Sequence, residues 1–298
     1  MATTLSTSSI SSSQKKEVRR AAVLGMSQET RDAWSLLLRR LSEGPLTLMG
    51  APGPNRVLLD RARRAGALES GLDDLSAPTR RIAVPLTGAS AQQRKLWKEA
   101  GHELIDLTLP AVRRAHVTIN LLRAEGCRLV LVGHPGDPEC QAICGHLHGV
   151  AVIESADEAF DLSFAPHTGV IFQTSISSQR ARTIVEALRS RHRDSRLQVL
   201  DTLSPAGLQR EQALRNLARE SELLLIIADP ADASGRALYE TARWLGRPAR
   251  ILHRFEDLEV GELSGYRQIG LSAGEFTSDD EIDAVEIGIL RHLQGNSG

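Results

Sequence analysis

The sequence predicts an α/β protein built on parallel sheets, and three observations predict it. Ten short apolar runs recur along the chain, stretches of ten to sixteen residues with helical spacing lie between most of them, and small residues cluster just after several of the runs. Strands that alternate with helices in this way wind into right-handed βαβ units.

The elements follow in order. Residues 1–16 are rich in Ser and Thr with almost nothing to bury, so a disordered tail is expected over 1–20. Trp34, Leu37, Leu38 and Leu41 then recur at i, i+3, i+4 and i+7, which predicts an amphipathic helix within 21–45, closed by Gly44 and Pro45. Its apolar stripe is expected to pack against the body, with docking of a partner as the alternative. The expected strands are Leu46–Met49, Arg81–Pro85, Glu103–Leu107, Arg128–Val132, Val150–Ile153, Gly169–Phe172, Leu197–Leu200, Leu223–Ala228, Arg250–Leu252 and Gln268–Leu271. Thr87-Gly88-Ala89-Ser90, Gly133-His134-Pro135-Gly136, Thr174-Ser175-Ile176-Ser177 and Ser272-Ala273-Gly274 each follow a strand and open a helix. Small residues there let helix N-termini face a common cleft, where free N–H groups favour an anion. Many doubly wound proteins share that feature, so it identifies no ligand.

Composition narrows the function. A chain of 298 residues, 41% hydrophobic, can bury a substantial core. A net charge of −1 and 3% aromatics argue against nucleic acid and against an anionic membrane surface. No apolar run reaches the roughly 18 residues that span a bilayer, and the first residues carry no apolar core of a secretory signal. Three cysteines build no disulfide framework, so a reduced cytoplasmic protein is expected. Walker, Gly-x-Gly-x-x-Gly, His-Glu-x-x-His and Gly-x-Ser-x-Gly motifs are missing from the sequence.

Four longer segments carry more information. Asp106-Leu107-Thr108-Leu109-Pro110-Ala111-Val112 runs on to His116, and Gly133-His134-Pro135-Gly136-Asp137-Pro138-Glu139 follows a strand. Gln173-Thr174-Ser175-Ile176-Ser177 follows another, and Asp201-Thr202-Leu203-Ser204-Pro205-Ala206 leads to Arg210. In that order and spacing they resemble the LytB/IspH family, iron–sulfur reductases that act on hydroxymethylbutenyl diphosphate. The resemblance covers roughly residues 46–290. It implies three small parallel-sheet α/β domains around a central cavity: 46–80 with 265–298, 81–160, and 161–264. The helix of 21–45 would then be an addition.

The same resemblance exposes what is missing. Arg56, Leu109 and Ser204 stand where the family has its three cluster cysteines. A cubane needs thiolate donors, and neither Leu nor Arg supplies one, so no iron–sulfur cofactor is expected. The interval from Asp60 to Thr87 lacks the family's His-Asn loop, and its His-Gly-Val-Ser has become Thr87-Gly88-Ala89-Ser90. A substrate-binding His has become Asp137, the Ser-Ser-Asn trio aligns with Asp232-Ala233-Ser234, and a further serine aligns with Phe276. An acid at 137 would repel a diphosphate. Glu139 keeps the family's proton-relay position and Thr174 lies in the motif that sets a hydroxyl beside it, which makes them the candidate catalytic pair. Thr87, Ser90, His116, His134, Asp137, Ser175, Ser204, Ser234 and Ser272 are the candidate cavity residues.

Three readings follow. The chain is a pseudoenzyme that binds a small ligand or supports a protein partner; or it is a non-redox enzyme that uses Glu139 and Thr174; or it is a metalloenzyme with ligands moved to Cys140, Cys144, His146 and His148. Against the second, Glu139 could simply cap a helix; against the last, a lone Cys is commonly buried as a small hydrophobe.

Overall fold

The computed structural model describes residues 16–295 apart from 146, 164, 192, 195 and 260. The chain opens with β1 (Glu17–Arg20), then α1 (Gln28–Ser42), whose N-cap Ser27 accepts from the Thr30 amide. The first sheet holds β2 (Thr47–Met49), α2 (Arg56–Arg64), β3 (Leu68–Ser70), β4 (Arg81–Val84), α3 (Ala91–Glu99) and β5 (Glu103–Asp106), in strand order β3-β2-β4-β5. Helix α4 (Pro110–Ala124) leads to the second: β6 (Arg128–Val132), α5 (Pro138–Cys144), β7 (Ala151–Ile153), α6 (Ala156–Asp161), β8 (His167–Phe172), α7 (Ser178–Arg191) and β9 (Arg196–Val199), in order β7-β6-β8-β9. Helix α8 (Pro205–Ala218) leads to the third: β10 (Leu223–Ile227), α9 (Ala233–Trp244), β11 (Ala249–Leu252), β12 (Gln268–Ala273) and α10 (Asp279–Gly295). There β1 returns as an edge, in order β1-β12-β10-β11.

Every strand pair is parallel, as the alternation predicts. The central strands β6, β8 and β10 are near-continuous apolar runs because helices cover both faces. All ten expected strands form. Two further strands were not legible, β1 and β3, both short edges with largely exposed side chains. Residues 17–20 are therefore not tail: Glu17 pairs with Gln268 and Arg20 with Leu271. Ion pairs from Arg19 to Glu220 and from Arg20 to Glu286 reinforce the backbone ladder in place of burial.

Strand pairing also redraws the expected domains. A cut at 80 falls inside the first sheet, since β2 pairs with β4 (Thr47 opposite Ile82). A cut at 160 falls inside the second, since β6 pairs with both β7 and β8. Strand β12 joins β10 and not β2, and α10 packs Ile282, Val285 and Ile289 on the third sheet. Phe276 alone of that returning segment joins the apolar cluster of the first sheet. Helix α1 packs there too: Leu37 and Leu41 are buried with Leu46, Leu48 and Leu58.

Helix and sheet approach closely at Gly235, where an added Cβ would fall 2.3 Å from the Ala228 Cβ. Gly235→Val is expected to destabilise the protein by about 1–3 kcal/mol in urea denaturation, because backbone must move to admit it. Among the described residues no helix is long and apolar enough to cross a membrane.

Candidate functional site

All three sheets direct the carboxyl ends of their strands at one cavity of about 340 Å³. Gly50 and Ala51 reach it from β2, Leu86 and Thr87 from β4, Glu139 from the first turn of α5 and Thr174 from the turn after β8. Ser204 opens α8 beside it, and Asp232, Glu275 and Phe276 complete the wall from β10 and β12. Crevices outside the carboxyl ends of parallel strands are where such folds bind ligands. The wall is mainly apolar, formed by Leu86, Leu109, Ile176, Leu203, Leu208 and Phe276.

Two of the three positions that the resemblance assigns to cluster cysteines line this space. Leu109 caps α4 with no side-chain hydrogen bond, and the Ser204 hydroxyl accepts from the Gly207 amide to cap α8. The third position does not: Arg56 opens α2 exposed to solvent, and Gly53 and Pro54 meet the cavity close by in the chain. The chain's cysteines, Cys127, Cys140 and Cys144, all lie elsewhere. A donor set of one hydroxyl, already engaged at a helix cap, does not fit an iron–sulfur cluster.

Glu139 and Thr174 do meet as expected. Glu139 is 5% exposed; the Thr174 amide donates to its Oε1 at 2.7 Å and the Thr174 hydroxyl to its Oε2 at 3.0 Å. Burial raises the Glu139 carboxyl to about 7, with the neighbouring Asp137 adding to the rise and the two Thr174 bonds opposing it. Near neutral pH this acid can therefore both give and take a proton. The cap of α5 falls to Asp137, whose Oδ1 accepts from the Glu139 amide, so Glu139 is free of the capping role.

Asp137 lines the cavity, but Arg236 of α9 reaches its Oδ2 at 3.2 Å, so its charge is matched and not bare as expected. A second network stands on the opposite wall. Arg210 is 2% exposed, forms an ion pair with Glu275 and donates to the Gly25 carbonyl at 3.2 Å. Glu275 also accepts from the Ser27 amide at 3.0 Å and the Thr30 hydroxyl at 2.6 Å, while its own amide donates to the Ser234 hydroxyl at 2.6 Å. The Ser234 hydroxyl donates in turn to Asp232 Oδ1 at 2.7 Å. Burial pushes Asp232 up to about 6, against the Ser234 bonds and the nearby Arg210 charge. Glu275 was not singled out in the sequence; it lies 65 residues from its arginine, and no local pattern joins them.

Of the expected cavity residues, Thr87, Asp137, Ser175, Ser204 and Ser234 line it. Four do not. Ser90 is spent on a capping box with Gln93, and Ser272 is sealed in the third sheet with its hydroxyl unpartnered among the described residues. His134 is exposed, with Nδ1 accepting from the Gly136 amide. His116 lines a separate outer cleft with Arg94, Asp106 and Thr108. The relocated metal site fares no better. The Cys140 thiol points into the core and donates to Gln173 at 3.4 Å, burial holds it far above the usual thiol range, and Cys144 is raised to about 11. His148 is exposed, and His146 lies outside the described residues. Among the described residues, potential metal donors come together instead at Glu125, Cys127 and His167.

Comparison with known proteins agrees with this architecture. A family profile described as LytB protein matches residues 32–289. Two curated relatives are 4-hydroxy-3-methylbut-2-enyl diphosphate reductases. That of Dechloromonas aromatica is 27% identical over 82% of this chain and 79% of its own length, and that of Desulfotalea psychrophila is 28% identical over 94% and 91%. Among solved structures, the E-1-hydroxy-2-methyl-but-2-enyl-4-diphosphate reductase of Plasmodium falciparum shares the fold with a TM-score of 0.82 at 18% identity, covering 93% of this chain and 88% of that one. The profile match begins inside α1, so most of the helix expected as an addition falls within the family's span.

Proposed function

This chain belongs to the LytB protein family, and from that premise we propose that it is a cluster-less member that binds a small molecule and does not reduce 4-hydroxy-3-methylbut-2-enyl diphosphate. One observation carries the reading: the cavity where the three sheets converge is lined by no cysteine, and Leu109 and Ser204 cap the helices there. Electrostatics supports it. Glu139 and Asp232 face the cavity without an ion-pair partner among the described residues. At an effective dielectric of about 20, two like charges 5 Å apart repel by about 3 kcal/mol, so Asp232, once ionised, would disfavour a diphosphate where the resemblance has a neutral serine.

The test is metal and sulfide analysis of protein purified anaerobically, paired with an anaerobic assay using a strong electron donor. The expected outcome is iron and sulfide well below one equivalent and no product from 4-hydroxy-3-methylbut-2-enyl diphosphate. Iron-dependent turnover of that substrate would overturn the proposal.

A specific observation favours a second reading, in which the cavity also performs acid–base chemistry. Glu139 is held in one orientation by two bonds from Thr174 and carries a carboxyl poised near neutrality. A ligand group brought against it could exchange a proton without any redox step.

A further inference from the structure

Charge and shape together select the class of ligand. Six acidic residues line the cavity, Glu29, Asp137, Glu139, Glu211, Asp232 and Glu275, against the guanidinium-bearing Arg210. That guanidinium is already committed to Glu275 and to the Gly25 carbonyl. Two more of the acids are matched from outside the cavity, Asp137 by Arg236 at 3.2 Å and Glu211 by Arg215 at 2.6 Å. Glu29, Glu139 and Asp232 remain with no ion-pair partner among the described residues.

Asp232 carries a further mark. Its Oδ1 accepts from the Ser234 amide and hydroxyl, while its buried Oδ2 has no hydrogen-bond partner among the described residues. The backbone makes room for that oxygen: at Gly274 an added Cβ would fall 2.2 Å from Oδ2. A buried polar atom without a partner calls for an explanation, and a ligand donor is one. Around these acids the rest of the wall is hydrocarbon, from Leu86, Leu109, Ile176, Leu203, Leu208 and Phe276.

We propose that the cavity binds an organic amine, its ammonium head drawn to the acidic wall of Asp232 and Glu139 and its apolar body seated against the leucine, isoleucine and phenylalanine wall. The inference rests on the ligand-binding reading above and names its chemical class. It also carries a pH signature. Glu139 faces Asp137 and Thr174, and Asp232 faces Ser234, Arg210 and Glu275; burial raises both acids toward neutrality. Each attracts an ammonium only when ionised, whereas an alkylamine stays protonated throughout this range. Amine binding therefore strengthens as pH rises from 5 to 8 and releases protons.

The experiment compares three ligands that share one body, geranylamine, geraniol and geranyl diphosphate, by titration calorimetry on the full chain at pH 8. The amine is expected to bind at least tenfold more tightly than the alcohol, and the diphosphate more weakly than the alcohol. In the Asp232→Asn, Glu139→Gln double variant the amine's advantage is expected to shrink to under threefold while alcohol binding persists, which also reports an intact cavity. Should Asp232→Asn fail to fold, Glu139→Gln alone is expected to lower the advantage at least threefold. A diphosphate that binds as tightly as the amine, an amine advantage unchanged in the variants, or no binding of any of the three at millimolar concentration overturns the proposal. Iron and sulfide content of the same samples separates the two levels. Iron-bearing protein that prefers the diphosphate overturns the functional reading as well, whereas iron-free protein that ranks amine and alcohol equally overturns only the amine assignment.

Discussion

Glu139→Gln is expected to stabilise the folded protein by about 3 kcal/mol at pH 8 and by under about 1 kcal/mol at pH 5. Glu139 is buried with its carboxyl raised from an ordinary value of 4.5 to about 7. A carboxyl raised on folding binds more protons folded than unfolded, so stability falls as pH climbs from the unfolded value through the folded one. That interval, at about 1.4 kcal/mol per pH unit, amounts to about 3 kcal/mol. Glutamine removes the charge and keeps the contacts, since its carbonyl can accept from the Thr174 amide and its amide can donate to the Thr174 hydroxyl. Urea denaturation of both proteins at the two pH values measures the difference. A gain equal at pH 5 and pH 8 would show that Glu139 is not a buried titrating acid. A stability cost borne at a cavity wall is what a group retained for binding or proton exchange leaves behind.

The largest destabilisation is expected from Glu275→Ala, about 3–5 kcal/mol in the same assay. The substitution strips the charge partner from a guanidinium that is 2% exposed, and a buried charge left unpaired carries a penalty of that size. It also removes the acceptor for the Ser27 amide and the Thr30 hydroxyl, freeing the segment that links β1 to α1. Arg210→Met is expected to cost less than Glu275→Ala, because the remaining carboxylate keeps the bonds from Ser27 and Thr30. The reverse order would mean that the cost of leaving the Glu275 charge unpaired outweighs the loss of the bonds from Ser27 and Thr30.

How far the sequence carried the structure depends on the range of each interaction. Strands buried on both faces, such as Leu223–Ile227, announce themselves because burial selects apolar residues one after another. Glu17–Arg20 did not, since a ladder of backbone bonds and ion pairs leaves no apolar record. Sheet membership was misjudged for a related reason: that Thr47 sits opposite Ile82, or Leu223 opposite Ile269, is decided by partners far along the chain. The site divides in the same way. Glu139 and Thr174 were legible through motifs next to their strands. Ser90 and His134 occupy comparable strand-to-helix turns, yet their side chains are used locally, on the Gln93 amide and the Gly136 amide. Asp137 read as a bare acid because its arginine stands 99 residues away on another helix.

The pairing of β1 with β12 has a consequence for how the protein is made. Residues 17–20 leave the ribosome long before their partner strand, which begins at residue 268. At about 5–20 residues per second, β1 waits roughly 10–50 s for that strand to be synthesised. The first two sheets draw all their strands from residues 47–199 and can close in the meantime. A waiting segment needs to stay soluble and decline other edges, and Glu-Val-Arg-Arg, three charges in four residues, is suited to that. The third sheet, and with it the Glu275 side of the cavity, is thus the part of the molecule that assembles last.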